Sequence, residues 1–323
     1  MTSHVKSTWS SPSHIRRLAA VAVVAAVAAP LLAGCGDSGS DKAKDPLAGS
    51  KASGDTVVVG SNNFPESILI ADIYGEALKA KGIKVSYKPN IGSRETTYGL
   101  LKNGSLTVLP EFNGALLAYL DAKATPTTAQ ATNEAALAKL DPKLTLLDMA
   151  PAEDKDSLTV NAATAAKYKL TEKSTIADLA KYGSEIAIGA SPEFQTRQQG
   201  LVGLKSVYNL TPKSFKALDA GGPLTVAALK NNNVQAADVF TTDPSIPKEK
   251  FVVLQDPKNL FGFENIIPLV YKSGLSKEGV AALNAVSAKL DTATLLALDT
   301  QVQSDNKDPL EVAKTWLTSI GLG

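Results

Sequence analysis

From Thr56 onward the chain repeats one local signature, a short β-branched run that stops at a glycine or polar turn and opens a helix. Thr56-Val57-Val58-Val59 ends at Gly60, which fits a buried strand. Gly60-Ser61-Asn62-Asn63 reads as a turn, and Pro65 and Glu66 suit the first turn of a helix that runs to about Lys81 and stops at Gly82. Ile83, Val85 and Tyr87 alternate as a second strand. Ser93 can cap a helix from about Arg94 to Lys102, closed by Asn103-Gly104. Leu106 to Leu109 reads as a third strand with Glu111 at its carboxyl end, and a helix carrying Leu116, Leu117 and Leu120 follows. Strand–helix–strand order predicts parallel pairing in an open α/β sheet, because parallel neighbours need a crossover connection.

The pattern then recurs. Val57-Val58-Val59-Gly60-Ser61 matches Ile186-Ala187-Ile188-Gly189-Ala190 at an offset of 129 residues, and Leu101–Leu106 matches Leu229–Val234 at an offset of 128, as Phe112 matches Phe240. Two similarly built lobes are expected, with any ligand held between them. In open α/β sheets the crevice lies beyond the carboxyl ends of the strands. Those ends here are Gly60–Phe64, Pro110–Gly114, Gly189–Arg197 and Phe240–Asp243. Thr241, Thr242 and Asp243 are expected to line the cleft from the second lobe.

The beginning of the chain reads as a leader. The first 34 residues hold three basic residues, Lys6, Arg16 and Arg17, and no acidic one, and an uncharged run ends in Leu32-Ala33-Gly34-Cys35. That run is short for a membrane span, which needs about 20 apolar residues. A basic start, an apolar stretch and small residues before a cysteine predict a lipoprotein signal peptide over 1–34, with lipid on Cys35. Residues 35–55, rich in Gly, Ser, Asp, Lys and Ala, read as a flexible tether to the extracytoplasmic face of the cell membrane.

Removing the leader changes the chemistry. Of 323 residues 289 remain, with 30 basic against 32 acidic side chains. Both histidines, His4 and His14, leave with it, and the single cysteine is Cys35. Ser-His-Asp and Cys-His catalysis, disulfides and Cys/His zinc sites are therefore excluded. No Asp/Asn run has calcium-loop spacing, so no metal and no cofactor are expected. The near-neutral balance without basic blocks argues against nucleic acid.

Four segments carry a family resemblance. Gly60-Ser61-Asn62-Asn63-Phe64-Pro65-Glu66 is similar to a G-S-K-x-F-T-E opening, and Pro110-Glu111-Phe112-Asn113-Gly114 to P-E-Y-T-G. Ser191-Pro192-Glu193-Phe194 with Arg197 and Gly200-Leu201 resembles S-P-E-F-x-x-R-x-x-G-L, and Ala237–Asp243 resembles A-D-V-F-S-T-D. Together, in order, they resemble the substrate-binding lipoproteins of ABC importers for osmoprotectants such as glycine betaine, choline and carnitine. The resemblance covers Thr56 to Gly323.

It implies an α/β, two-lobed periplasmic-binding-protein fold of type II, with the ligand cleft between the lobes. Residues 55–157 plus 266–323 would form lobe 1 and 158–265 lobe 2, with chain crossings near Lys155–Leu158 and Asn259–Ile266. The helices from Ser276 onward would pack on the first lobe. It also implies capture of a small cationic or zwitterionic solute, delivery to an ABC permease with its ATPase, no catalysis, and a monomer.

In that family an aromatic cage holds the quaternary ammonium, which has no hydrogen to donate and is bound by dispersion and ring faces. The resemblance makes Ser61, Asn62, Asn63, Phe112, Asn113, Arg197, Thr242 and Glu264 the candidate ligand-binding residues. Arg197 would meet a ligand carboxylate. Phe112 stands where the motif has tyrosine, Asn62 where it has lysine, and Glu264 aligns with a late cage tyrosine. A cleft-facing Glu264 would favour a cation that carries hydrogens, so an amino acid or another polar amine is the alternative ligand. Arg94 is expected to pair with Glu95, and Tyr98 to pack in its helix.

Two rival classes remain open. An enzyme of the related porphobilinogen deaminase fold would need a cofactor-bearing cysteine, and the lipid occupies the one present. A hydrolase would need two facing acids, for which Glu111 and Glu264 are the candidates. The other rival is a tethered protein that has lost its ligand.

Overall fold

The computed structural model describes residues 56–323. The leader, Cys35 and the tether lie outside the described residues.

Among the described residues ten strands form two five-stranded sheets with helices around them. In chain order they are β1 (Val57–Gly60), β2 (Val85–Lys88), β3 (Val108–Phe112), β4 (Leu144–Leu146), β5 (Leu158–Val160), β6 (Ala187–Ala190), β7 (Ser214–Ala217), β8 (Ala236–Asp238), β9 (Val252–Val253) and β10 (Ile266–Tyr271). The first sheet has the order β2-β1-β3-β10-β4 and the second β7-β6-β8-β5-β9. The two orders superimpose strand for strand, β1 on β6, where the sequences repeat, and β3 on β8, each preceded by a repeated segment.

The sheets are mixed, where the sequence pattern predicted parallel pairing. β1 runs parallel to β2 and β3, but β10 runs antiparallel to β3 and β4. Likewise β6 runs parallel to β7 and β8, while β5 runs antiparallel to β8 and β9. This also moves the third strand. The expected run Leu106–Leu109 is instead Val108–Phe112, and Glu111 lies inside it. The parallel partner β1 reaches only Val108, whereas β10 pairs residue by residue up to Phe112 opposite Ile266. A strand defined by a partner more than 150 residues away leaves no local mark. Ile83 precedes β2 rather than belonging to it.

Each sheet has its own core. Leu69, Ile70, Ile73, Tyr74 and Leu78 of the helix Pro65–Ala80 are buried against Leu283, Val286, Leu295 and Leu317 from the C-terminal helices. The second core gathers Leu158, Ile176, Ile186, Ile188, Leu204 and Leu254. Tyr98 packs in the core beside Leu101 and Leu106, as expected. Between the sheets the chain passes twice, after β4 and after β9, and the two passages run side by side. Glu153 bridges Asn265, Asp154 N–H donates to the Glu264 carbonyl at 3.0 Å, and Ile266 N–H to the Ala152 carbonyl at 3.1 Å.

The returning passage lies against the helix Asn113–Leu120, and Gly114 permits the approach. A Cβ there would stand 2.2 Å from the Phe263 carbonyl oxygen and 3.2 Å from Glu264 Cγ. Gly200 is similar: its Cβ would meet the Phe194 carbonyl oxygen at 2.0 Å, so the loop carrying Arg197 closes only on glycine. We expect Gly114→Ala to lower stability in denaturant unfolding by about 1–3 kcal/mol, the usual range for overpacking. A variant as stable as the parent would contradict the close approach.

Candidate ligand cleft

Five segments and the two chain passages converge between the sheets. The turn after β1 brings Asn62, Asn63 and Phe64, and the start of the helix Arg94–Lys102 brings Ser93 and Arg94. The end of β3 brings Phe112, the turn after β6 brings Ser191, Glu193 and Arg197, and the end of β8 brings Asp238 and Phe240. The chain passages add Asp154, Asp156 and Glu264. These residues enclose a cavity of about 60 Å³ inside a cleft whose empty space, mouth included, is about 590 Å³. All four carboxyl-end segments marked in the sequence contribute to it.

Three phenylalanines and no tyrosine line this space. Phe64 lies 5.8 Å from Phe112 and 5.2 Å from Phe240, centroid to centroid, the latter edge to face. Phe64 and Phe112 follow strands of the first sheet and Phe240 follows a strand of the second, so the ring cluster bridges the lobes. Each ring offers a face to a cation, and tyrosine hydroxyls are not needed for that.

The charges are paired differently from the expectation. Arg94 does not bond Glu95. Its Nε donates to both Glu111 oxygens at 3.0 Å and its Nη2 to Glu111 Oε2 at 2.9 Å. Arg94 is 8% and Glu111 0% exposed, and Phe112 N–H adds a third donor to the same carboxylate. A fork-shaped guanidinium matches a carboxylate bidentately, and a fully buried Glu111 demands that match. Glu95, one residue further along the helix, points across the cleft to Arg197. There Nη2 meets Oε2 at 2.9 Å and Nε meets Oε1 at 3.2 Å. Burial would raise the Glu95 carboxyl, but hydrogen bonds from Arg197 and Ser93 overcome it and hold it at about 2. Ser93 therefore serves Glu95 rather than capping the helix backbone.

Of the eight candidate residues, Asn62, Asn63, Phe112, Arg197 and Glu264 line the cavity. Asn62 Oδ1 also accepts from Thr97 Oγ1 at 2.8 Å. Glu264 is 3% exposed and accepts from Gln199 Nε2 at 2.9 Å. The other three are turned to the protein. Ser61 Oγ accepts from Asn90 N–H at 2.8 Å and fixes the turn. Asn113 Oδ1 accepts from Asn265 N–H at 2.9 Å and ties the helix start to the returning chain. Thr242 Oγ1 donates to Glu66 Oε2 at 2.8 Å and its N–H to Asp154 Oδ1 at 3.0 Å, a bond between lobes. Thr241 Oγ1 accepts from Lys155 N–H at 2.9 Å, also outside the cavity. Glu111 does not line the cavity, so the proposed pair of facing acids is not assembled.

Sequence reading missed Asp154 and Asp156 and did not weigh Phe64, Asp238 or Phe240. The last three sit in quoted motifs, and Phe240 also at a position the repeat aligns, so the signal was present. The passage Ala150–Asp156 has no strand or helix pattern to mark it. Among the described residues no group of three or more His, Cys, Asp or Glu is arranged to hold a metal.

The acids are perturbed. Burial, followed by the neighbouring Asp156, pushes Glu264 and Asp238 well above the usual carboxylate range. Burial and Glu66 do the same to Asp154. Behind the cleft, burial drives Asp299 up to about 7, and the neighbouring Glu66 carboxyl is raised well above normal by burial and then by the charge of Asp299. A carboxyl raised in the folded state stabilises most when protonated in both states, below about pH 4, and loses that contribution as pH climbs to its folded value. Asp299 should therefore make the folded chain less stable as pH rises from about 4 to about 7, and half-buried Asp72, raised to about 6, acts in the same window. We expect the melting midpoint to fall from pH 5 to pH 7.5 and Asp299→Asn to flatten that fall. An unchanged slope in the variant would contradict the assignment.

This geometry agrees with known proteins. Residues 55–319 match the family model described as the substrate-binding domain of ABC-type glycine betaine transport system. The glycine betaine-binding protein YehZ of Escherichia coli K12 is 30% identical over 280 residues, covering 82% of this chain and 90% of that one. A glycine-betaine-binding protein of Pseudomonas aeruginosa is 28% identical over 281 residues, covering 82% and 88%. Among solved structures, a glycine betaine/carnitine/choline ABC transporter protein aligns with a TM-score of 0.64 at 22% identity, over 82% of this chain and 99% of that one. Its likeness shows the fold, two lobes with a cleft between them. The chain belongs to the family of substrate-binding domains of ABC-type glycine betaine transport systems.

Proposed function

We propose that this protein is the extracytoplasmic solute receptor of an ABC importer, held to the membrane by lipid on Cys35 and acting as a monomer. It captures a small cationic or zwitterionic solute of the glycine betaine, choline or carnitine type and delivers it to the permease. The observation that carries this reading is the cavity between the two sheets, where Phe64, Phe112 and Phe240 meet surplus carboxyl groups. Ring faces and negative charge are what a cation without hydrogen-bond donors needs.

In this reading, residues 55–157 plus 266–323 form one lobe and 158–265 the other, supported by β10 returning to the first sheet beside β4. Asn62, Asn63, Phe112 and Glu264 contact the solute, with Phe64 and Phe240 added to the cage. Arg197 acts with Glu95 as a clasp across the cleft mouth. Capture works by lobe closure, in which Arg197–Glu95, Thr242–Glu66 and Phe64–Phe240 form together. Family membership favours quaternary amines over the amino-acid alternative.

Thermal unfolding against glycine betaine, choline, carnitine and a set of amino acids tests the reading. A ligand at about 100 times its Kd adds about 2.7 kcal/mol, enough to raise the midpoint by several degrees. We expect a rise with at least one quaternary amine and none with amino acids, and Phe112→Ala to weaken that binding at least tenfold. Stabilisation by no quaternary amine would overturn the proposal.

A further inference from the structure

The cavity lining holds five carboxyl groups, Asp154, Asp156, Glu193, Asp238 and Glu264, against two guanidinium groups, Arg94 and Arg197. Both guanidiniums are already matched by protein carboxylates, Arg94 by Glu111 and Arg197 by Glu95. What remains in the cavity without an ion-pair partner is acidic. Asp238 is 5% exposed and its Oδ1 has no hydrogen-bond partner. Asp156 makes no hydrogen bond and no ion pair within 4 Å among the described residues. Glu264 receives only the neutral amide of Gln199. A buried carboxyl group without a partner is costly, and an incoming positive charge relieves that cost.

A ligand carboxylate has the opposite effect. The Arg94 charge that could meet it is already matched by Glu111, 0% exposed, through Nε and Nη2, so a ligand carboxylate would share that charge rather than find it free. Arg197 likewise holds Glu95 through Nε and Nη2, a contact between the lobes, and its charge too would be shared. Placed instead beside Asp156, Asp238 or Glu264, a ligand carboxylate would push groups already raised by burial further up, whereas a cation draws them down.

We infer that this cleft selects a cation that carries no carboxylate, a choline-type quaternary ammonium alcohol in preference to a zwitterion such as glycine betaine or carnitine, and that Asp156, Asp238 and Glu264 set the choice. The inference rests on the receptor function proposed above and narrows its ligand. The three acids come from separate places in the chain, the outward passage, the end of β8 and the returning passage. Their meeting is therefore a property of the fold and not of one acidic segment.

Titration calorimetry of the whole protein with choline and, separately, glycine betaine decides it. Choline is expected to bind at least tenfold more tightly. Asp156→Asn and Glu264→Gln should each weaken choline tenfold or more and glycine betaine by less, so the ratio narrows. The melting midpoint of each variant reports whether it has folded, and Asp238→Asn replaces one that has not. Glycine betaine binding as tightly as choline, or a ratio unmoved in the folded variants, would overturn the inference and leave the receptor function standing. Binding of neither solute, carnitine included, would overturn the receptor function itself.

Discussion

An antiparallel strand inserted into an otherwise parallel sheet decides where the chemistry of this protein lies. Parallel strands present their carboxyl ends to the cleft, and a strand running against them presents its amino end at the same edge. β10 begins at Ile266 opposite Phe112, the last residue of β3, so Glu264 and Asn265 arrive at the cleft just before it. β5 begins at Leu158 opposite Asp238, the last residue of β8, so Asp154 and Asp156 arrive there in the same way. The two sheets repeat one another in this feature as in their strand order. The passages between lobes and the acidic wall of the cavity are thus the same residues, and the hinge and the site share a backbone.

That sharing gives the contacts between the sheets an electrostatic character. Glu66 and Asp299 from the first lobe face Asp154 on the passage, and Thr242 of the second lobe donates to Glu66. Glu95 on one lobe holds Arg197 on the other. The Arg94–Glu111 pair is different in kind, since it joins two elements of one lobe and is sealed from solvent. It anchors the start of the helix Arg94–Lys102 to β3 beside Phe112, and so fixes the half of the ring cluster that must be in place before a solute arrives. Surface pairs of the Glu95–Arg197 sort contribute little to stability, which suits a contact that must break on opening.

Much of this was legible in the sequence. The β1 and β6 runs, their glycines and the helix starts after them gave the two-lobed α/β plan, and the four motifs marked the segments that reach the cleft from β1, β3, β6 and β8, though not the start of the helix Arg94–Lys102 or the passages between the sheets. Phe112 and Glu264, singled out as departures from the family's motifs, both line the cavity. What sequence could not supply was pairing at a distance. The extent of β3 depends on β10, the partner of Arg94 depends on a strand 17 residues away, and the partner of Arg197 lies 102 residues away on the other lobe. Ser61, Asn113 and Thr242 were polar residues at strand ends and helix starts, and such residues hold turns and lobes as readily as they hold ligands. Asp154 and Asp156 sit in a stretch without periodicity, where only the fold reveals a role.

The central claim is that a cation rests among Phe64, Phe112 and Phe240 with Asp156, Asp238 and Glu264 around it. A crystal structure of the protein grown with choline tests this most directly. The account predicts the trimethylammonium group within about 6 Å of at least two of those ring centroids, the remainder of the molecule within hydrogen-bonding reach of one of the three acids, and Arg94 still on Glu111. Choline seated elsewhere, or seated there with Arg94 or Arg197 turned onto it and the acids remote, would contradict the account.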